Sequence, residues 1–235
     1  MLKLYIGNKN YSPWAMRPWV LLRQAGIAFE EIMVRMDAFS AGSSFKQTLA
    51  SVTPAGKVPA LVDGERAVWD SLAIAEYVAE RFPDKHLWPQ DPAQRARARS
   101  VCAEMHSGFS ALRGACGMNI EARLPEVGAI IWRDRADVRA DVERITTIWR
   151  DALAASGGPL LFGAFSIADA FYAPTVLRLQ TYALPVKDEA RAYMERVRAL
   201  PAVQEWVAGA LAEHDFLAFE EPYRLHGGRG APDGC

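Results

Sequence analysis

The stretch that decides the fold is Gly56-Lys57-Val58-Pro59-Ala60-Leu61-Val62-Asp63-Gly64, followed by Val68-Trp69-Asp70-Ser71. It reads as a loop, a proline at a strand start, a hairpin and a helix N-terminus. Asp63-Gly64 between two apolar triplets is a strong hairpin signal. Asp70 and Ser71 are the residue types that cap a helix. Together these features offer main-chain hydrogen bonds and an anion-binding helix end to one small, extended peptide. Ser12, near the other end of the same unit, is placed to meet that peptide's reactive atom.

Working outward, Leu2–Ile6 alternates like a short strand. Residues 13–25 read as a helix closed by Gly26. Pro13 suits its first turn, whereas Pro18 predicts a kink or a start nearer Ala15. Phe29–Val34 reads as a second strand, and residues 43–51 as a short helix. From Ser71 to Phe82 the apolar residues recur with helical spacing. The first 82 residues therefore predict a mixed four-stranded sheet with helices on its faces. Residues 83–91 hold two of the prolines that mark a linker. Everything beyond reads as helix: 92–118, 135–156, a start at Ser166 with Asp169 in capping-box position, 187–199 and 202–214. The expected units are 1–82, an α/β unit, and 92–225, an all-helical unit. Residues 226–235, rich in glycine, read as a disordered tail.

The 235 residues carry a net charge of -1, with 51% hydrophobic and 23% charged residues. That balance gives no reason to expect a nucleic-acid or anionic-membrane partner, and no apolar run is long enough to span a bilayer. Arg95, Arg97 and Arg99 read as a solvated or interface face. The N-terminus has no signal-peptide pattern. The three cysteines, Cys102, Cys116 and Cys235, form no paired framework, which points to a reducing, cytoplasmic setting. The four histidines share no ligand spacing with them, so no metal is expected.

In this order, Val58-Pro59, Asp70-Ser71 and Ser166–Asp169 resemble the cytosolic glutathione transferase superfamily over about residues 2–220. Tyr11-Ser12-Pro13-Trp14-Ala15-Met16-Arg17 is similar to the serine-type active-site segment of zeta- and theta-like bacterial members. Glu104-Met105-His106-Ser107-Gly108-Phe109 and Leu112-Arg113 resemble a segment of a further bacterial branch. The resemblance implies a thioredoxin-like N-terminal domain, an all-helical C-terminal domain, a homodimer, a cis peptide before Pro59 and glutathione as cosubstrate.

On that footing Ser12 is the expected catalytic residue, stabilising the glutathione thiolate by a hydrogen bond, with simple helix capping as the alternative. Lowering a thiol pKa by ~2 units takes ~2.7 kcal/mol. A hydrogen bond to a charged acceptor is worth roughly 1.5–3 kcal/mol. Val58 would pair with the cysteinyl main chain, with Pro59 removing a donor. Ser71 would hold the γ-glutamyl carboxylate, Asp70 the ammonium and Lys57 the glycyl carboxylate. Trp14, Met105, His106, Phe109 and Arg113 are the expected walls of the electrophile pocket. Arg113 and Arg17, if buried, would call for an anionic partner; for Arg17 a salt bridge within the fold is the alternative.

No cysteine precedes Cys102, which excludes C-x-x-C exchange in the first unit. Zeta-class isomerases carry Ser-Ser-Cys where this chain has Ser12-Pro13-Trp14, which argues against maleylacetoacetate isomerisation. The leading expectation is addition of the glutathione thiolate to a small electrophile. The alternatives are a glutathione-dependent isomerase and a non-catalytic scaffold.

Overall fold

The computed structural model describes residues 1–40 and 42–226. Cys235 and nearly all of the expected tail, 227–235, lie outside the described residues. The first unit runs β1 (Leu2–Ile6), α1 (Pro13–Gln24), β2 (Phe29–Met33), α2 (Ser44–Ala50), β3 (Ala60–Asp63), β4 (Arg66–Trp69) and α3 (Ser71–Arg81). The sheet order is β2-β1-β3-β4. β1 pairs parallel with β2, Leu2 opposite Phe29, and antiparallel with β3, Leu2 opposite Asp63. The β3–β4 hairpin turns at Gly64, whose φ of 61° explains a glycine there. This is the mixed four-stranded sheet that the first 82 residues predict, and the thioredoxin-like unit that the resemblance implies.

A short 3-10 turn at Pro83–Lys85 leads to the helices α4 (Pro92–Ser107), α5 (Ser110–Ala115), α6 (Pro125–Asp134), α7 (Ala136–Ser156), α8 (Ile167–Thr181), α9 (Asp188–Arg198) and α10 (Pro201–Ala212), then a 3-10 turn at Ala218–Glu220. α1 packs on α3 and β1 on one side and on α8 and α10 on the other. One apolar core therefore runs from the sheet into the helices, with Trp19 edge-on to Trp206 at 5.2 Å.

Two expectations change, and a third point left open is decided. The stretch 92–118 is two helices, not one. Gly108 N–H closes α4 on the Glu104 carbonyl, and Phe109 sits at φ 56°. A Cβ on residue 108 would lie 2.8 Å from that carbonyl oxygen, so the close approach requires glycine. Secondly, α6 occupies a span that the sequence reading leaves unassigned. Thirdly, α1 starts at Pro13 and carries Pro18 inside it. Pro18 cannot donate to the Trp14 carbonyl, yet it is buried with its neighbours in the core.

The Ser166–Asp169 box is present and carries more than a cap. Asp169 is fully buried and accepts from Ser166 N–H (3.0 Å), Ser166 Oγ (3.1 Å), Leu161 N–H (3.1 Å) and the Tyr193 hydroxyl (3.0 Å). Those four donors tie the start of α8 to the preceding loop and to α9. Burial still pushes the Asp169 carboxyl upward, with the donors opposing it.

Candidate functional site

A cleft in two lobes runs along the sheet unit, and its second lobe reaches the helices. The first lobe, about 440 Å³, is lined by Trp14, Ala55, Lys57, Val58, Pro59, Trp69, Asp70 and Ser71. The second, about 420 Å³, is lined by residues that include Ser12, Trp14, Lys46, Lys57, Val58, Arg113, Arg178 and Glu220. Trp14, Lys57 and Val58 belong to both, so the lobes are continuous. A larger cleft of about 600 Å³ between α7 and the start of α9 contains none of the residues singled out by sequence.

In the first lobe the local chain explains each placement. The Val58–Pro59 peptide is cis. Among the described residues the Val58 N–H and C=O join no backbone hydrogen bond. Lys57 is exposed at the rim, and Lys46 Nζ donates to the Gly56 carbonyl at 3.0 Å. Asp70 is held at φ 73°, ψ 134°, a strained conformation for a residue with a Cβ. Its Oδ1 accepts from Leu72 N–H (2.8 Å) and Ala73 N–H (3.4 Å), capping α3. Its Oδ2 lies 3.3 Å from His106 Nε2. Ser71 follows, buried, and its Oγ has no hydrogen-bond partner among the described residues. A buried hydroxyl at a helix N-terminus without a partner is a position that an anionic ligand satisfies.

Ser12 stands at the N-cap of α1, where its carbonyl accepts from Met16 N–H at 3.1 Å. Its side chain makes no capping bond. The hydroxyl is therefore not consumed by the helix, and Ser12 lines the second lobe.

Of the five expected electrophile walls, Trp14 and Arg113 line the cleft and His106, Met105 and Phe109 line neither lobe. Trp14 and Arg113 line the second lobe, with the Arg113 guanidinium 4.8 Å from the Trp14 ring. His106 stands edge-on to Trp14 at 5.2 Å. Burial lowers its pKa, Asp70 opposes this, and Arg17 and Arg113 add to it. Met105 and Phe109 are buried in the core and line neither lobe; Met105 packs against Thr175, 3.3 Å from its Oγ1.

Arg113 is satisfied by the main chain: its Nη1 donates to the His106 (3.1 Å) and Gly108 (2.9 Å) carbonyls at the end of α4. Those carbonyls are the groups that a helix C-terminus leaves open, so the Arg113 Nη1 has main-chain partners. Arg17 forms no salt bridge among the described residues. It is 3% exposed, lies 4.5 Å from the Trp14 ring and 5.0 Å from the Phe171 ring, and its Nε and Nη1 have no hydrogen-bond partner. Burial, then Arg113 and Arg178, lower its pKa to about 9.

Sequence reading missed Lys46, Arg178 and Glu220. Arg178 is the lone basic residue on α8, a helix buried almost along its length, and that contrast was the available signal. Its Nη1 donates to the Cys116 carbonyl. Glu220 lies beyond the last long helix and carried no signal. Cys102 and Cys116 are buried, free thiols; burial pushes Cys102 well up and Cys116 to about 12. Neither has the low pKa of a reactive cysteine.

Models of the glutathione S-transferase N-terminal domain and C-terminal domain match residues 11–81 and 92–209. The chain belongs to the glutathione S-transferase family. It is 28% identical over 205 residues to glutathione S-transferase Z1 of Arabidopsis thaliana, covering 83% of this chain and 89% of that one. Over 67 residues it is 42% identical to a probable maleylacetoacetate isomerase of Caenorhabditis elegans, covering 28% of this chain and 31% of that one. A solved glutathione transferase homolog from Burkholderia strain BGR1, with bound glutathione, superposes with a TM-score of 0.67 at 26% identity, over 90% of this chain and 98% of that one. As a member of the transferase family, the chain lines one cleft with its Val58-Pro59 turn, the Asp70-Ser71 helix start and Ser12.

Proposed function

We propose that this protein is a glutathione-dependent enzyme in which the Ser12 hydroxyl donates to the glutathione sulfur and holds it as the thiolate. The observation that carries the reading is a Ser12 side chain left free by its own helix, in a lobe that shares Trp14, Lys57 and Val58 with a peptide-sized one. A free thiol of pKa about 8.5 is mostly protonated at neutral pH, and the thiolate is the nucleophile. The N–H and C=O of Val58, in no backbone hydrogen bond among the described residues, suit strand-like pairing with a cysteinyl main chain. Ser71 suits the γ-glutamyl carboxylate, Asp70 the ammonium, and Lys57 at the rim the glycyl carboxylate. Bound glutathione in the Burkholderia homolog supports this ligand.

The reaction that follows is thiolate addition to a small electrophile. Maleylacetoacetate isomerase relatives favour a second reading, glutathione-dependent isomerisation. The Pro13-Trp14 pair after Ser12 speaks against it. Two units, 1–82 and 92–225, joined by 83–91, a homodimer and a cytoplasmic setting complete the proposal. The exposed Trp69 on edge strand β4 supports an interface there.

The test is retention on immobilised glutathione, followed by assays with an aryl halide and a maleyl compound. Wild type is expected to bind and turn over, and Ser12→Ala to bind but lose most turnover. Binding without turnover by both proteins would make the chain a scaffold.

A further inference from the structure

Two adjacent glutamates after α10 meet opposite fates. Glu221 is buried and engaged: it accepts the Tyr11 hydroxyl at 2.6 Å and pairs with Arg224. Glu220 is half-buried and lines the second lobe with Ser12, Trp14 and Arg178. Among the described residues its carboxylate joins no hydrogen bond or ion pair.

The position of Glu220 is set by anchors on both sides. Glu213 accepts from Lys9 N–H (2.6 Å), Asp215 from Asn8 Nδ2 (2.9 Å), and Leu217 N–H donates to the Tyr11 oxygen (3.4 Å). Beyond it, the Tyr223 hydroxyl donates to the Ala115 carbonyl at 2.8 Å. The carboxyl is thus carried to the cavity by a tethered segment. Burial pushes the Glu220 carboxyl upward, Arg178 opposes this and Glu221 adds to it. The other charged groups of the lobe are Arg113, Lys46 and Lys57, with the Tyr11 phenol committed to Glu221.

A carboxyl without a hydrogen-bond partner among the described residues, near the Arg178 guanidinium and in the lobe that Ser12 lines, is what addition to a conjugated carbonyl needs. Resting on the glutathione reading above, we propose that Glu220 is a catalytic acid–base residue and that the second substrate is an α,β-unsaturated carbonyl compound. The thiolate sulfur bonds to the β-carbon, and the C=C pair shifts to the carbonyl oxygen as an enolate. Arg178 opposes the charge on that oxygen. The Glu220 carboxyl gives its proton to the α-carbon as the carbonyl reforms. The thiol proton of the next glutathione returns to Glu220. In balance, one S–H and one C=C are consumed, and one S–C and one C–H bond form. Cis–trans isomerisation adds and expels the same thiolate and needs no such proton, and aryl-halide substitution releases halide instead. Glu220 therefore equips the site for net addition.

The experiment compares benzalacetone, an enone, with chlorodinitrobenzene, an aryl halide, in the full-length protein. Glu220→Gln is expected to lower the ratio of the enone rate to the aryl-halide rate by about 10²-fold, with partial recovery in Glu220→Asp. The wild-type enone kcat is expected to fall toward alkaline pH, and Glu220→Gln to lack that limb. An unchanged ratio, or no enone turnover by the wild type, overturns the proposal. Wild-type protein whose bound glutathione shows no thiolate absorbance overturns the glutathione reading and this one with it. A thiolate present with the ratio unchanged removes Glu220 alone.

Discussion

The two lobes of the cleft are built in opposite ways. The lobe around Val58 and Ser71 comes almost entirely from one continuous stretch, Ala55 to Ser71, with Trp14 added. The lobe around Glu220 is assembled from the start of α1, the segment after β2, the end of α5, one arginine of α8 and the chain beyond α10. A lobe made by one loop, one hairpin and one helix start inherits its geometry from local backbone rules. A lobe made from distant segments depends on packing, and one changed segment re-aims it without disturbing the other. Glutathione recognition is assigned to the first lobe and electrophile choice to the second.

The largest effect is expected where the assembled lobe depends on a single buried group. Asp169→Ala strips the partners from Leu161 N–H, Ser166 N–H and the Tyr193 hydroxyl. It should cost about 3 kcal/mol or more of stability by denaturant unfolding, and with it the helix that carries Arg178. A loss below about 1 kcal/mol would mean that α8 is held in place by its apolar contacts alone.

The contiguous lobe should respond differently. Ser71 Oγ has no partner among the described residues, so Ser71→Ala should leave the unfolding midpoint unchanged. Glutathione affinity by calorimetry should fall about 10–100-fold, the value of a hydrogen bond to a carboxylate. Lost stability with unchanged affinity would break the contrast between the lobes.

Tyr11→Phe sharpens it. The phenol joins the start of α1 to Glu221 and Leu217. Its removal is expected to cost about 1 kcal/mol and to lower turnover of the second substrate more than it raises the KM for glutathione. Equal changes in both would show that the C-terminal segment serves the two lobes alike.

The smallest effect concerns pH. Burial holds the His106 pKa below its ordinary value. The unfolded chain therefore takes up the proton first as pH falls through about 6.5, and folded-state stability declines in that range. His106→Gln should flatten this part of the stability–pH curve measured by denaturant unfolding. An unchanged slope would assign the acid sensitivity elsewhere.

The same division governs what the sequence disclosed. The Asp63-Gly64 turn, the Asp70-Ser71 start and the Ser166–Asp169 box are local codes, and each stands where it was read. α6 was legible in retrospect: Pro125 at its first position, Glu126 in its first turn, and Val127, Ile130 and Ile131 at helical spacing. The break at Gly108 was not, because the apolar pattern continues across it while the backbone turns out of the helix at Gly108 and Phe109. Met105 and Phe109 share the spacing of Arg113, yet they turn to the core; periodicity gives a face, not what the face meets. The main-chain partners of Arg113 were not legible either, because a sequence does not show carbonyls left open at the end of a neighbouring helix. Glu220 depends on hydrogen bonds to residues some two hundred positions away, a relation with no local trace.

The most direct test of the central claim is the pKa of the glutathione thiol on the enzyme, titrated through the absorbance of its thiolate. If the Ser12 hydroxyl stabilises that anion, the wild type should hold the pKa ~2 units below the free value of about 8.5, and Ser12→Ala should return it most of the way while still binding. Equal pKa values in the two proteins would contradict the account.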